Sequence, residues 1–213
     1  MKITKEYLPF WDKLTKKQQD FLLANAHLTK YDKDAQVHSG GNDCIGILLI
    51  QQGTLRTYML SEDGREITLF RMKEGDVCVL SASCILSAVT FDVHIDAETP
   101  AEIIQINTAA FQHLADENIY VENFMYKVAL ERFSDVMWAM EQILFMSMDK
   151  RLAIFLLDEG PVVQMTHEQI AKNLGSAREV VTRMLQYFSK EGYVSLSRGK
   201  VTVIDRDSLM SLI

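Results

Sequence analysis

The sequence predicts an α+β protein: an amino-terminal β-roll of jelly-roll type, one long helix, and a carboxy-terminal winged helix-turn-helix. Three observations predict it. Between about residues 35 and 107, short apolar or alternating runs are punctuated by Gly53, Gly64 and Gly75, one every eleven residues. From about Asp116 to Met146 there is neither Gly nor Pro. From Thr166 to Val203, two helix-start signals lie close together and are followed by a small hairpin pattern. The expected division is residues 1–115, 116–147 and 148–213.

In the front half, Cys44 to Gln51 is an apolar run bounded by turn residues. Thr54 to Leu60 and Glu66 to Arg71 alternate on either side of Ser61-Glu-Asp-Gly64, a hairpin pattern. Ile103, Ile104 and Ile106 close the set. Several short antiparallel strands with evenly spaced turns suit a jelly roll or barrel. Periodicity by itself says only a small β domain.

The long helix carries Tyr126, Ala129, Phe133, Val136, Met140 and Ile143 at alternating spacings of three and four, a coiled-coil seam. Leu130, Met137 and Leu144 widen the apolar face and are expected to pack on the β-roll. The competing reading is a buried helix of a monomer. A parallel dimer is favoured, because paired helix-turn-helix units read two half-sites one DNA turn apart. Asp158-Glu-Gly160-Pro161 is then a turn leading to the last unit.

In that unit Thr166 with Gln169, and Ser176 with Glu179, have capping-box spacing. Ile170, Ala171 and Leu174 give the first helix an apolar stripe, and Gly175 suits a sharp turn. Val181, Met184, Leu185 and Phe188 face inward on the second helix, which Gly192 ends. Glu179, Thr182, Arg183 and Gln186 then face outward, with Arg178 at the flank. Arg matches guanine O6 and N7, and Glu accepts from cytosine N4, so this face fits the hydrogen-bonding code of the major groove. A merely solvated face would more often carry Lys and Glu at salt-bridge spacing. Val194, Leu196, Val201 and Val203 alternate across Ser197-Arg-Gly-Lys200 as a hairpin wing.

A net charge of −7 argues at first sight against a polyanion partner. Its distribution does not: residues 149–213 hold nine Lys/Arg against eight Asp/Glu, whereas residues 1–148 hold thirteen against twenty-one. A local basic face can bind phosphates on an acidic whole. No apolar run approaches a membrane span, the start has no signal-peptide core, and a cytoplasmic protein is expected. Cys44, Cys78 and Cys84 make no disulfide framework.

The string Gly175-Ser-Ala-Arg178-Glu179-Val-Val-Thr182-Arg183 resembles the recognition-helix motif of the CRP/FNR family of bacterial transcription regulators, in its cyclic-AMP receptor branch. The resemblance extends over nearly the whole chain. It implies that Arg178, Glu179 and Arg183 contact bases, and it puts Thr182 where the other branch also has a hydroxyl residue. It implies phosphate contacts at Thr166, His167, Ser176 and Lys200. The front half is then a cyclic-nucleotide-binding-like β-roll, with Ser81, Ser83 and Cys84 beside an effector pocket. Double-stranded DNA, a second copy of the chain, RNA polymerase and an unknown small-molecule effector are the implied partners.

Several branches of the family fit poorly. No Lys or Arg occurs between Lys73 and Lys127, where the cyclic-nucleotide branch holds its phosphate with an Arg. Cyclic AMP is therefore not expected. Gly75 to Cys84 is similar to the matching stretch of the carbon-monoxide-sensing haem branch, yet the two ligand positions fall on Val79 and Ser81. Residues 1–43 contain no cysteine, so the iron–sulfur branch is excluded by count. No cofactor and no metal are expected. A haem, gas or thiol redox sensor is the alternative, with His94 or Cys78 as other haem ligands and Cys78 with Cys84 as the thiol pair. Asp92, Asp96 and Glu98 near His94 read as a polar strand face rather than a metal site. A cupin-type metal enzyme is remote, because His27, His38, His94, His113 and His167 are scattered.

Overall fold

The structure is a computed structural model that describes residue 3, residues 5–39 and 45–79, residue 81 and residues 93–213. The chain divides into two compact units, Met1–Met59 with Leu69–Val136, and Leu60–Thr68 with Met137–Ile213. The fold is α+β, with antiparallel sheets, a long helix and a carboxy-terminal helix-turn-helix.

In the first unit, α1 (Lys16–Ala24) starts at a capping box made by Thr15 and Gln18. Two four-stranded sheets follow. One is ordered β1 (Ala26–Tyr31), β8 (Ala101–Ile106), β3 (Ile47–Gln52), β6 (Val77–Cys78). The other is ordered β2 (Gln36–Ser39), β7 (His94–Ala97), β4 (Leu55–Leu60), β5 (Glu66–Met72). Register is set by pairs such as Leu49 opposite Ile104 and Thr57 opposite Ile95. Ile47, Leu48, Leu49 and Ile50 are all fully buried, so β3 is covered on both faces. That is why it reads as a continuous apolar run and not as an alternation. The hairpin between β4 and β5 closes where the Ser61 N–H donates to the Arg65 carbonyl at 2.9 Å.

The long helix expected from about Asp116 is present and starts three residues later. Helix α2 (Thr108–Glu117) ends at Asn118 and α3 (Ile119–Phe145) begins after it. Asn118 supplies the break without Gly or Pro: its side-chain oxygen accepts from the Tyr120 N–H at 3.0 Å, a cap-type bond. Val121, Met125, Val128, Val136 and Ala139 are buried along α3. Val136 therefore belongs to the buried face and not to an exposed seam. Leu130, Met137 and Leu144, expected to pack on the roll, are 67%, 46% and 66% exposed. The exposed row is Tyr126, Leu130, Phe133, Met137, Met140 and Leu144, with Ala129 and Ile143 half-buried beside it.

The second unit folds around Leu152, Leu156, Ile170, Val181, Leu185, Phe188 and Leu209, all fully buried. Helix α4 (Met148–Glu159) leads to β9 (Val162–Val163), then α5 (His167–Leu174), α6 (Arg178–Lys190), the hairpin β10 (Val194–Ser197) and β11 (Lys200–Val203), and α7 (Arg206–Met210). The short β9 pairs with β11 and makes the wing three-stranded, which the alternation of the hairpin alone did not reveal.

Candidate nucleic-acid interface

Helix α5 starts at the Thr166–Gln169 capping box: the Thr166 hydroxyl accepts from the Gln169 N–H at 3.2 Å, and the Gln169 side chain accepts from the Thr166 N–H at 2.8 Å. It ends at Gly175, whose φ of 58° is left-handed and suits glycine. The Ser176 N–H reaches back to the Ala171 carbonyl at 2.9 Å. The second expected capping box does not form. Helix α6 begins after Ala177, with no side-chain cap, so Ser176 lies one residue before the capping position. Tyr193 closes α6 in the same way through the Phe188 carbonyl, with Gly192 in the left-handed region at φ 82°.

Along α6 the burial separates two faces. Val181, Leu185 and Phe188 are fully buried, and Met184 is half-buried against the same core. Arg178, Glu179, Arg183 and Gln186 are exposed and Thr182 is half-buried. Arg178, Glu179, Thr182 and Arg183 thus share the first two turns of one helix, on the side away from the core. The Thr182 hydroxyl lies 3.0 Å from His167 Nδ1, at the first position of α5. Burial, and then the Arg178 charge, hold the His167 pKa below its ordinary value. Thr166 and Lys200 are exposed, Lys200 at the start of β11, and Ser176 is half-buried in the turn.

Neighbouring charges that the motif did not single out also bear on this surface. Arg198 is exposed at the wing tip two residues before Lys200. Lys172 of α5 meets Glu66 at 2.6 Å, and Asn173 accepts from the Thr68 hydroxyl at 3.0 Å; Glu66 and Thr68 belong to the same compact unit. A recess of about 440 Å³ beside α6 is lined by Asp149, Val180, Arg183, Met184 and Tyr187. These acidic and apolar neighbours come from α4 and from the flank of α6, where sequence spacing gives no sign of proximity.

Residues 150–212 match the family model of the Crp-like helix-turn-helix domain. A solved transcriptional regulator of the CRP/FNR family from Eubacterium rectale is 44% identical, over 97% of this chain and 98% of that one, with a TM-score of 0.93. The chain belongs to the CRP/FNR family. The cAMP-activated global transcriptional regulator Vfr of Pseudomonas aeruginosa is 22% identical over 203 residues, 88% of this chain and 94% of that protein. The global nitrogen regulator of Synechococcus elongatus is 23% identical over 193 residues, 84% of this chain and 86% of that protein. This CRP/FNR chain is a transcription regulator with a helix-turn-helix DNA-binding domain, and not an enzyme.

In the amino-terminal half of this CRP/FNR regulator, Ser81 is fully buried and its hydroxyl donates to the Gly46 carbonyl at 2.7 Å, so that donor is used inside the fold. Ser83, Cys84, Cys44 and Asp92 lie outside the described residues. Cys78 is a fully buried thiol. His94 stacks on Tyr58 with 5.3 Å between ring centroids. Two guanidinium groups outside the stretch between Lys73 and Lys127 lie against aromatic rings. Arg56 is buried over the Tyr58 ring at 4.4 Å. Arg132 lies over the Phe70 ring at 5.1 Å and pairs with Asp135 at 2.9 Å. Among the described residues no cluster of His, Cys, Asp and Glu could hold a metal ion, and no helix is long and apolar enough to cross a membrane.

Proposed function

We propose that the chain acts as a homodimer that reads an inverted-repeat operator through α6 and alters transcription according to the state of its β-roll. Arg178, Glu179, Thr182 and Arg183 contact bases, while Thr166, His167, Ser176 and Lys200 hold the phosphate backbone. The observation that carries this reading is the sorting of α6: a fully buried Val181-Leu185-Phe188 side and an exposed Arg178-Glu179-Arg183 side. Those exposed types are the ones that recognise guanine and cytosine edges in the major groove.

Residues 1–115 form the sensor, 116–147 the dimerisation helix and 148–213 the DNA-binding domain in this scheme. The exposed row on α3 is the surface for a second copy. Its heptad spacing, from Tyr126 to Leu144, suits a parallel two-helix seam. The effector is a small molecule other than cyclic AMP, of neutral or weakly polar chemistry. No Arg or Lys follows Lys73 before Lys127 to pair with a cyclic phosphate. Arg56 and Arg132 already engage Tyr58, Phe70 and Asp135. A ligand can act only by binding the two arrangements of the dimer unequally. RNA polymerase is the partner that converts operator binding into regulation.

The test is selection of bound duplexes from a random pool by the full-length protein, with and without a small-molecule extract. The expected product is a palindromic consensus with guanine in each half-site. A pool that stays random at low salt under both conditions refutes the reading.

A further inference from the structure

One side-chain hydrogen bond joins the two helices of the DNA-binding motif at their outer ends. His167 Nδ1, at the first position of α5, and Thr182 Oγ1, on the second turn of α6, lie 3.0 Å apart. A threonine hydroxyl has one proton to give and lone pairs to receive with. A neutral imidazole has one N–H and one bare nitrogen. The bond therefore decides what Thr182 has left for any other partner. If Nδ1 is bare, the hydroxyl gives it its only proton and can then only accept. If Nδ1 carries the proton, the hydroxyl receives it and remains a donor.

Two considerations favour the first arrangement. Burial and the Arg178 charge hold the ring neutral at neutral pH, so it carries a single proton. A phosphate oxygen accepts and does not donate, so a phosphate at Nε2 keeps that proton on Nε2 and leaves Nδ1 bare. Backbone contact and base contact are then coupled through one ring.

We infer that His167 is a positioning residue for base selection: it takes the Thr182 hydroxyl proton, so Thr182 meets the groove as an acceptor and favours a base offering an exocyclic amine, adenine N6 or cytosine N4. The inference rests on the base-reading role of α6 proposed above. A bare Thr182 without its partner would rotate freely, and could donate to guanine or thymine as readily as it accepts.

The experiment uses the full-length protein and the duplex that the wild type selects. Thr182→Val, which keeps the shape and removes the hydroxyl, locates the base pair that this side chain reads. The exocyclic amine there is then removed, with purine in place of adenine or pyrimidin-2-one in place of cytosine. The wild type is expected to lose about tenfold in affinity for the amine-free duplex, the worth of one good base contact. Thr182→Val and His167→Ala should lose less than about twofold, and His167→Asn, which retains an acceptor, should keep the discrimination. If His167→Ala fails to fold, His167→Leu takes its place. Full discrimination in the His167→Ala or His167→Leu protein overturns the inference, as does a wild type indifferent to the amine, or a Thr182→Val protein with unchanged preferences. A wild type that selects no duplex at all brings down the DNA-reading proposal as well. One that selects a site while His167→Ala still discriminates sinks the present inference alone.

Discussion

The guanidinium of Arg151 donates to the main-chain carbonyl of Leu174, tying α4 to the last residue of α5 just before the Gly175 turn. The last carbonyls of a helix have no partner within it, and a cation there also meets the negative end of the helix dipole. Arg151 is half-buried, and burial lowers its pKa without removing its charge at neutral pH. Arg151→Met keeps the packed stem and deletes the donor. It should cost about 1.5–3 kcal/mol of stability, the range of a hydrogen bond from a charged group. Denaturant unfolding followed by circular dichroism checks this; an unchanged midpoint would mean that the carbonyl is satisfied otherwise.

Arg178 and Arg183 should differ from Lys200 in what their loss does. Arg178→Ala removes a guanine-type contact from an exposed helix face. Specific affinity should fall by about 1–3 kcal/mol, with relaxed preference at one base pair per half-site. Lys200→Ala should weaken binding evenly across sequences and shallow the salt dependence by about one unit of slope. Titrations of matched and scrambled duplexes at several salt concentrations separate the two. An even loss for Arg178→Ala would remove it from the base-reading set.

The second unit was legible because its signals are local. The Thr166–Gln169 box, Gly175 and the inward spacing of Val181, Leu185 and Phe188 each act within a few residues. Ser176 misled because capping-box spacing cannot tell a residue that opens one helix from one that closes the helix before it. In the first unit β3 and β4 announced themselves, whereas β1 and β2 did not. Among the described residues both are edge strands of their sheets, with one side unpaired. An edge strand buries less and tolerates polar residues such as those of His27-Leu-Thr-Lys30, so its alternation is faint. Which face of α3 meets the roll was equally hidden. Apolar residues occupy both faces, and only the burial of Val128 and Val136 against the exposure of Leu130 and Met137 divides them. Interior use of the Ser81 hydroxyl depends on Gly46, far away in sequence.

That division of α3 gives a contrast between two substitutions three residues apart. Phe133 is 54% exposed and Val136 is 5% exposed. Phe133→Lys should place a charge in the proposed seam, where it has no opposite partner, and shift the protein toward monomer. Val136→Ala should leave association intact and lower stability by about 1–3 kcal/mol through the cavity it opens. Sedimentation velocity reads the first effect and thermal melting the second. A Phe133→Lys protein that sediments as the wild type does would place the dimer contact elsewhere.

His167 also predicts how stability responds to acid. Its folded-state pKa lies below the ordinary 6.5, chiefly because burial disfavours the charged ring and secondarily because Arg178 is near. Below about pH 6.5 the unfolded chain therefore binds more protons at this site than the folded one. Stability from this residue is complete above that pH and declines as the pH falls through the depressed folded value. A protonated ring can no longer take the Thr182 proton, so the bond between α5 and α6 must reverse or break. His167→Asn, which does not titrate, should flatten this part of the profile. Urea midpoints of both proteins at about pH 7.5 and about pH 5.5 give the comparison. The wild type should lose more on acidification than His167→Asn, and equal losses would show that the ring stays charged, or stays free, in the folded protein.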